Sequence, residues 1–206
     1  MRTESIVFTV AGVFFGLIVG WIIGSQHAGP VRVAQSPVAQ GPPSASAAQP
    51  PRPLDEAQVQ ALRSAAQADP KNTQARVQLA NLYFDAERYG DALTWYEDAL
   101  RLNPKDVNVS TDLGVCYYYL DQPDKALEQF DRSMAIDPKH AKTMLNIGVV
   151  RAFGKQDLKG AAAAWQKLIE VAPDSPEAQG AKKMLDSLKS AHPEIGGAAP
   201  ATKGDG

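Results

Sequence analysis

The chain is short of nearly everything that a catalytic or metal centre is built from. Cys116 is its one cysteine, so no intrachain disulfide framework and no Cys-x-x-Cys site is possible, and neither redox compartment is excluded. Only three histidines occur, unclustered, two of them (His27 and His192) in flanking segments. There is no Gly-rich phosphate loop and no Ser/His/Asp order that would make a triad. With Lys and Arg at 21 against 23 Asp and Glu, the formal charge of -2 lacks the basic excess that nucleic-acid binding needs. The expectation is no enzyme, no cofactor and no metal. At 206 residues and 44% apolar, the composition allows one modest globular domain with extra segments.

What is present is a repeat. Pro70, Pro104, Pro138 and Pro173 stand 34, 34 and 35 residues apart. In the first period Leu79-Ala80-x-x-Tyr83 precedes Ala92-x-x-x-Tyr96-x-x-Ala99 and Asn103-Pro104. In the second, Leu113-Gly114-x-x-Tyr117 precedes Ala126-x-x-x-Phe130-x-x-Ser133 and Asp137-Pro138. In the third, Ile147-Gly148 precedes Ala161-x-x-x-Trp165 and Ala172-Pro173, with one extra residue assigned to the turn around Gly154 to Lys159. Within each period, apolar residues three and four apart, such as Leu79/Leu82/Tyr83 and Ala92/Leu93/Tyr96/Leu100, predict two helices, each with one buried face. Small residues at Ala80, Gly114 and Gly148 admit a close neighbour, and Tyr83, Tyr96, Tyr117, Phe130 and Trp165 fill the space between pairs. Each closing proline removes a backbone donor and stops its helix. One helix pair cannot bury its own faces, so the copies must stack.

These residues resemble the tetratricopeptide repeat. The resemblance implies an all-α fold, a right-handed α-solenoid of three helix pairs over 71–104, 105–138 and 139–173, with N- and C-terminal capping helices. The N-terminal cap is read over 54–70, where Val59, Leu62, Ala65 and Ala66 share a side and the register matches a half repeat. The C-terminal cap is read over 174–190, opened by Ser175 and Pro176, with Ala178, Ala181, Met184, Leu185 and Leu188 on one face. Residues 191–206 read as a disordered tail.

Ahead of the repeats, Ile6 to Gly24 is a run of 19 residues in which Thr9 is the one polar side chain, and it is read as a transmembrane helix. A cleaved signal peptide is the rival, but its apolar run would be about 7 to 15 residues and would end in a small-x-small site, absent here. Arg2 and the amino terminus against Glu4, with His27 and Arg32 beyond, place the N-terminus in the cytoplasm and the repeats outside it, in a periplasm-like space. Gly12, Gly16, Gly20 and Gly24 fall on one helix face, the small-xxx-small spacing of membrane helix pairs, although glycine is also simply common there. From 25 to 53 the chain is rich in Pro, Ala, Gln and Ser and reads as a disordered tether. As a flexible coil its proline-rich part would span about 30 Å, and fully extended about 75 Å.

By register, the resemblance implies a concave face carrying Gln74, Val77, Asn81, Phe84 and Asp85 from the first copy. The second copy adds Asn108, Thr111, Val115, Tyr118 and Tyr119, and the third Lys142, Leu145, Val149, Ala152 and Phe153. Of these Phe84, Tyr118, Tyr119 and Phe153 are not required by the repeat pattern. Phe84 and Phe153 suit a ligand groove and packing on the next repeat equally. Tyr118 and Tyr119 diverge by about 100° on a helix, so burying both is difficult. Some tetratricopeptide domains hold a C-terminal carboxylate with a Lys and Asn clamp. Here the matching positions are Val77, Asn81, Asp112, Lys142 and Asn146, and the negative Asp112 argues against that ligand. Cys116 reads as a small core residue. Arg151 replaces an aromatic and is expected to pair with the C-terminal helix, and the Asn108-Val109-Ser110 sequon, at a helix start, is read as chance. The architecture is similar to bacterial anchored tetratricopeptide proteins that assist assembly of envelope complexes, including the cytochrome c maturation type. The expected role is a membrane-tethered adaptor binding a peptide or helix of a client protein; the alternative is a homo-oligomeric scaffold.

Overall fold

Short polar residues set the helix starts along the chain. In the computed structural model, which describes residues 52–196, Asp55 accepts hydrogen bonds from the amides of Ala57 and Gln58, both at 3.1 Å, and opens α1 (Glu56–Ala68). Asn72 Oδ1 accepts from Ala75 N at 2.9 Å ahead of α2 (Thr73–Asp85), and Asp106 from Val109 N at 3.1 Å ahead of α4 (Val107–Tyr119). Each bond satisfies an amide that the first helical turn leaves without a partner. The second helices are α3 (Tyr89–Leu102), α5 (Pro123–Ile136) and α7 (Leu158–Val171), and α5 starts on the preset φ of Pro123. The third first-helix, α6 (Ala141–Val149), runs on into a π-helical turn, Val150–Gly154. Finally Ser175 caps α8 (Pro176–Ala191), and a single turn, α9 (Pro193–Gly196), follows.

The pairs α2/α3, α4/α5 and α6/α7 stack in chain order, with α1 against α2 at one end and α8 against α7 and α6 at the other. Among the described residues there is no strand, and no helix is long and apolar enough to cross a membrane. The transmembrane reading of Ile6–Gly24, its glycine stripe, the tether up to residue 51 and the tail from 197 lie outside the described residues. At two edges the elements differ from the boundaries expected from sequence. Arg52, inside the stretch read as tether, reaches Asp85 at 3.6 Å, next to Leu54, which packs on the core as part of the expected cap. Residues 191–196 are helical instead of tail, because α8 continues to Ala191 and Pro193 can begin another turn.

Helix pairs close on the small residues. A Cβ on Gly114 would collide with the Phe130 ring, and one on Gly148 with the Trp165 indole, whose Nε1–H donates to the Leu145 carbonyl at 3.2 Å. The apolar core runs from α1 to α4 through Val59, Leu79, Ala80, Tyr83, Tyr96, Val109 and Leu113. A second cluster, Ala126, Phe130 and Val150, joins α5 to the π-turn.

The turns between paired helices contain no glycine where one is usual. Glu87 and Asp121 take positive φ (57° and 58°) just after α2 and α4. Arg88 N then bonds Tyr83 O at 2.8 Å and Gln122 N bonds Tyr117 O at 2.9 Å, closing two left-handed helix caps. In the third copy Gln156 has φ 55°, but the closing bond runs from Asp157 N to Arg151 O, spanning six residues where the others span five. The extra residue is therefore absorbed in the π-turn, upstream of most of the Gly154 to Lys159 turn, as Lys155 N bonding Val150 O confirms. Arg151 is also repositioned relative to expectation. Its guanidinium holds Asp157 at 2.8 Å, at the start of α7, and does not pair with α8. Gly160 leaves room for this clasp, since a Cβ there would strike both groups.

Candidate functional site

Register along the first helices puts the expected groove residues on one side of the array, but the neighbouring repeat decides which of them remain reachable. Thr111 is fully buried, its hydroxyl 2.7 Å from Thr143 Oγ1; Leu145 is 1% exposed and Val149 7%. These three are packing residues, Thr111 covered by Thr143 of α6. Ala152 is likewise buried. Val77 and Val115 are half-buried against the two apolar clusters. Gln74, Asn81 and Asn108 are exposed, and Phe153, at 37%, is one of few large apolar side chains at the surface.

Polar groups on this side are already engaged. Tyr96 donates its hydroxyl proton to Asn81 Oδ1 at 2.6 Å, which occupies the Asn81 oxygen and leaves its amide nitrogen as the donor end of the side chain. Lys142 Nζ lies 2.6 Å from Asp112 Oδ1, with only 17% and 23% of the two side chains exposed. Asn146 is buried and donates to the Lys142 carbonyl at 2.9 Å. A carboxylate clamp is thus not set: Lys142 is neutralised by Asp112, and Asn146, the last of the five matching positions, is in the core.

The aromatic side chains converge more than the sequence reading anticipated. Tyr89 and Tyr119 stack at 4.3 Å with planes 7° apart, Phe84 meets both edge-on at 5.3 and 5.9 Å, and Tyr118 lies 5.8 Å from Tyr119. Tyr118 continues the row onto the third repeat, where a Cβ on Gly154 would sit 3.1 Å from its ring. Burial raises the phenol pKa of Tyr118 and of Tyr89, each to about 12, with Glu87 adding to the effect at Tyr89, so both rings are neutral donors at any physiological pH. Tyr119 is shifted upward as well, by burial first and then by its tyrosine neighbours. Tyr89 was missed from sequence because it opens the second helix, away from the periodic first-helix positions. Its one sequence signal is an aromatic two residues after the turn residue Glu87.

Cys116 is completely buried, and burial pushes its thiol well above the ordinary range, so it behaves as an apolar core group. Among the described residues no group of His, Cys, Asp and Glu could hold a metal ion.

Family comparison agrees with this architecture. A tetratricopeptide-repeat family profile matches residues 73–139, and a second matches residues 142–175. Residues 73–175 are tetratricopeptide repeats. Solved structures with the same fold include MamA, at 19% identity and a TM-score of 0.54, covering 66% of this chain and 84% of that one. The first such domain of Spaghetti (RPAP3), bound to an HSP90 peptide, aligns at 21% identity and 0.52, covering 60% and 94%. The Yersinia enterocolitica type III secretion chaperone SycD, in complex with a peptide of the translocator YopD, aligns at 20% and 0.53, covering 57% and 92%. Among curated protein sequences none matches. Against the tetratricopeptide pattern, this array departs at Arg151, where an aromatic is replaced, and at the π-turn that follows it.

Proposed function

We propose that the chain is a membrane-tethered adaptor whose tetratricopeptide array takes a peptide segment or helix of a client protein, in the assembly of an envelope complex. The observation that carries this reading is the row of Phe84, Tyr89, Tyr119 and Tyr118 across two repeats, with the Asn81 amide and Phe153 beside it. Aromatic rings with polar amides nearby are the surface chemistry of peptide capture. The ion pairs Lys142–Asp112 and Arg52–Asp85 compensate each other locally, so the segment taken is a largely uncharged one. Peptide complexes of RPAP3 and SycD, which share the fold, support a protein ligand. The apolar run Ile6–Gly24 would anchor the chain with its N-terminus cytoplasmic and the repeats extracytoplasmic, and a tether raises the local concentration of a weak binding face.

Crosslinking with mass spectrometry in native membranes tests the reading, comparing the intact chain with Tyr118→Ala/Tyr119→Ala and with Phe153→Asp. A heterologous partner that is crosslinked to the intact chain and lost in both variants, while their circular dichroism and melting stay cooperative, is the expected result. Self-crosslinks alone, unaffected by either variant, would overturn the adaptor and favour a scaffold paired through Gly12, Gly16, Gly20 and Gly24.

A further inference from the structure

Six buried polar side chains occur among the described residues, and all lie on α4, α5 and α6. One set lies within the second repeat, between α4 and α5, and the other crosses from α4 to α6, where the second and third repeats meet beside the apolar Ala126, Phe130 and Val150. Ser110, Ser133 and Gln129 form one closed set: Gln129 Nε2 donates to Ser110 Oγ at 2.7 Å, Ser110 lies 2.7 Å from Ser133 Oγ, and Ser133 donates to the Gln129 carbonyl at 3.1 Å. None of these groups titrates.

The other set does. Thr143 Oγ1 lies 2.7 Å from both Thr111 Oγ1 and His140 Nδ1, Thr111 Oγ1 is 2.7 Å from the Val107 carbonyl, and His140 Nε2 is 3.2 Å from Asn108 Oδ1. With His140 neutral, Nε2–H donates to Asn108, Nδ1 accepts from Thr143, and Thr143 accepts from Thr111. With His140 protonated, Nδ1–H donates to Thr143, Thr143 to Thr111, and Thr111 to Val107. A proton on the ring therefore reverses the whole hydroxyl chain, and no member is orphaned in either direction. What changes is that a charge now stands half-buried at the start of α6, whose unpaired amides oppose a cation.

We propose that this seam is an acid-operated hinge, at which protonation of His140 loosens α6, α7 and α8 from α1 to α5 while the apolar N-terminal block stays closed. The charged groups facing the ring are Asp137 from the preceding turn, Lys142 on α6, Asp112 on α4 and Glu177 on α8. Lys142 and Asp112 are bound to each other and largely cancel. Burial outweighs the three carboxylates and lowers the His140 pKa below 6.5, with Lys142 adding to the lowering. A base held below its unfolded pKa gives its full stability above that unfolded value and loses it as pH falls through about 6.5 toward the folded value. The hinge does not depend on what occupies the concave face.

Hydrogen exchange of the full chain at about pH 7.5 and about pH 5.5, corrected for intrinsic rates, reads it directly. Peptides covering 107–119 and 141–149 should lose protection in acid, about tenfold for each pKa unit by which the seam holds His140 down. Peptides covering 73–102 should not, and His140→Gln should abolish the difference. Equal losses in all three regions, or an unchanged response in the variant, would overturn the hinge. If His140→Gln does not fold, nuclear magnetic resonance titration of the wild-type His140 ring decides instead, and a pKa at or above the free imidazole value would refute it.

Discussion

Gly114 and Gly148 stand where the second helix of their own repeat lays a ring across the first, and the ring has no room to retreat. Phe130 is fully buried and Trp165 is tied to the Leu145 carbonyl. Gly148→Ala is expected to cost about 1–3 kcal/mol by overpacking, read as a lower urea midpoint at unchanged slope. Gly90, on α3, has nothing within 4 Å of a built Cβ. Gly90→Ala should be neutral or gain up to about 1 kcal/mol in the same measurement, from helix propensity alone. Two glycines on first helices and one on a second thus separate packing from backbone freedom.

Elements are joined by caps whose backbone is costly and by a polar chain that is internally matched. Glu87 and Gln156 hold a left-handed conformation that costs an L-residue with a Cβ about 1 kcal/mol or more. Glu87→Gly and Gln156→Gly should each raise the melting temperature, the strain relieved exceeding the entropy that glycine adds to the unfolded chain. Thr111 and Thr143 make the opposite case. Replacing either alone by Val leaves a buried hydroxyl short of its partner, at about 1–3 kcal/mol, whereas Thr111→Val/Thr143→Val should cost clearly less than the sum. Additive losses in that cycle would show that the hydroxyls do not act as a pair.

At the scale of the whole array, the order of the paired helices was legible in the sequence, because proline spacing and the pairing of small with aromatic residues are local rules that the packing obeys at Gly114/Phe130 and Gly148/Trp165. The position of the inserted residue was not. A 35-residue period says that one residue is extra, but only the Val150 to Lys155 bond says that a helix widened to take it. Depth at the concave side was equally hidden. Register gives the face of Thr111, Leu145 and Val149, while their burial depends on how far the next helix overlaps, which is a property of two repeats. Tyr89 was invisible for a related reason: its stack on Tyr119 joins residues thirty apart through the meeting of two repeats.

The polar seam has a further meaning for the identity of the copies. By pattern the three repeats look like one unit written three times, yet Leu113 and Cys116 suit an apolar neighbour before them, and Thr111 a hydroxyl-bearing one after. The Arg151–Asp157 clasp and its widened turn travel wholly within the third copy. No shuffling of the three would keep both junctions satisfied, so their succession is itself encoded, in side chains that no surface comparison of the repeats would single out.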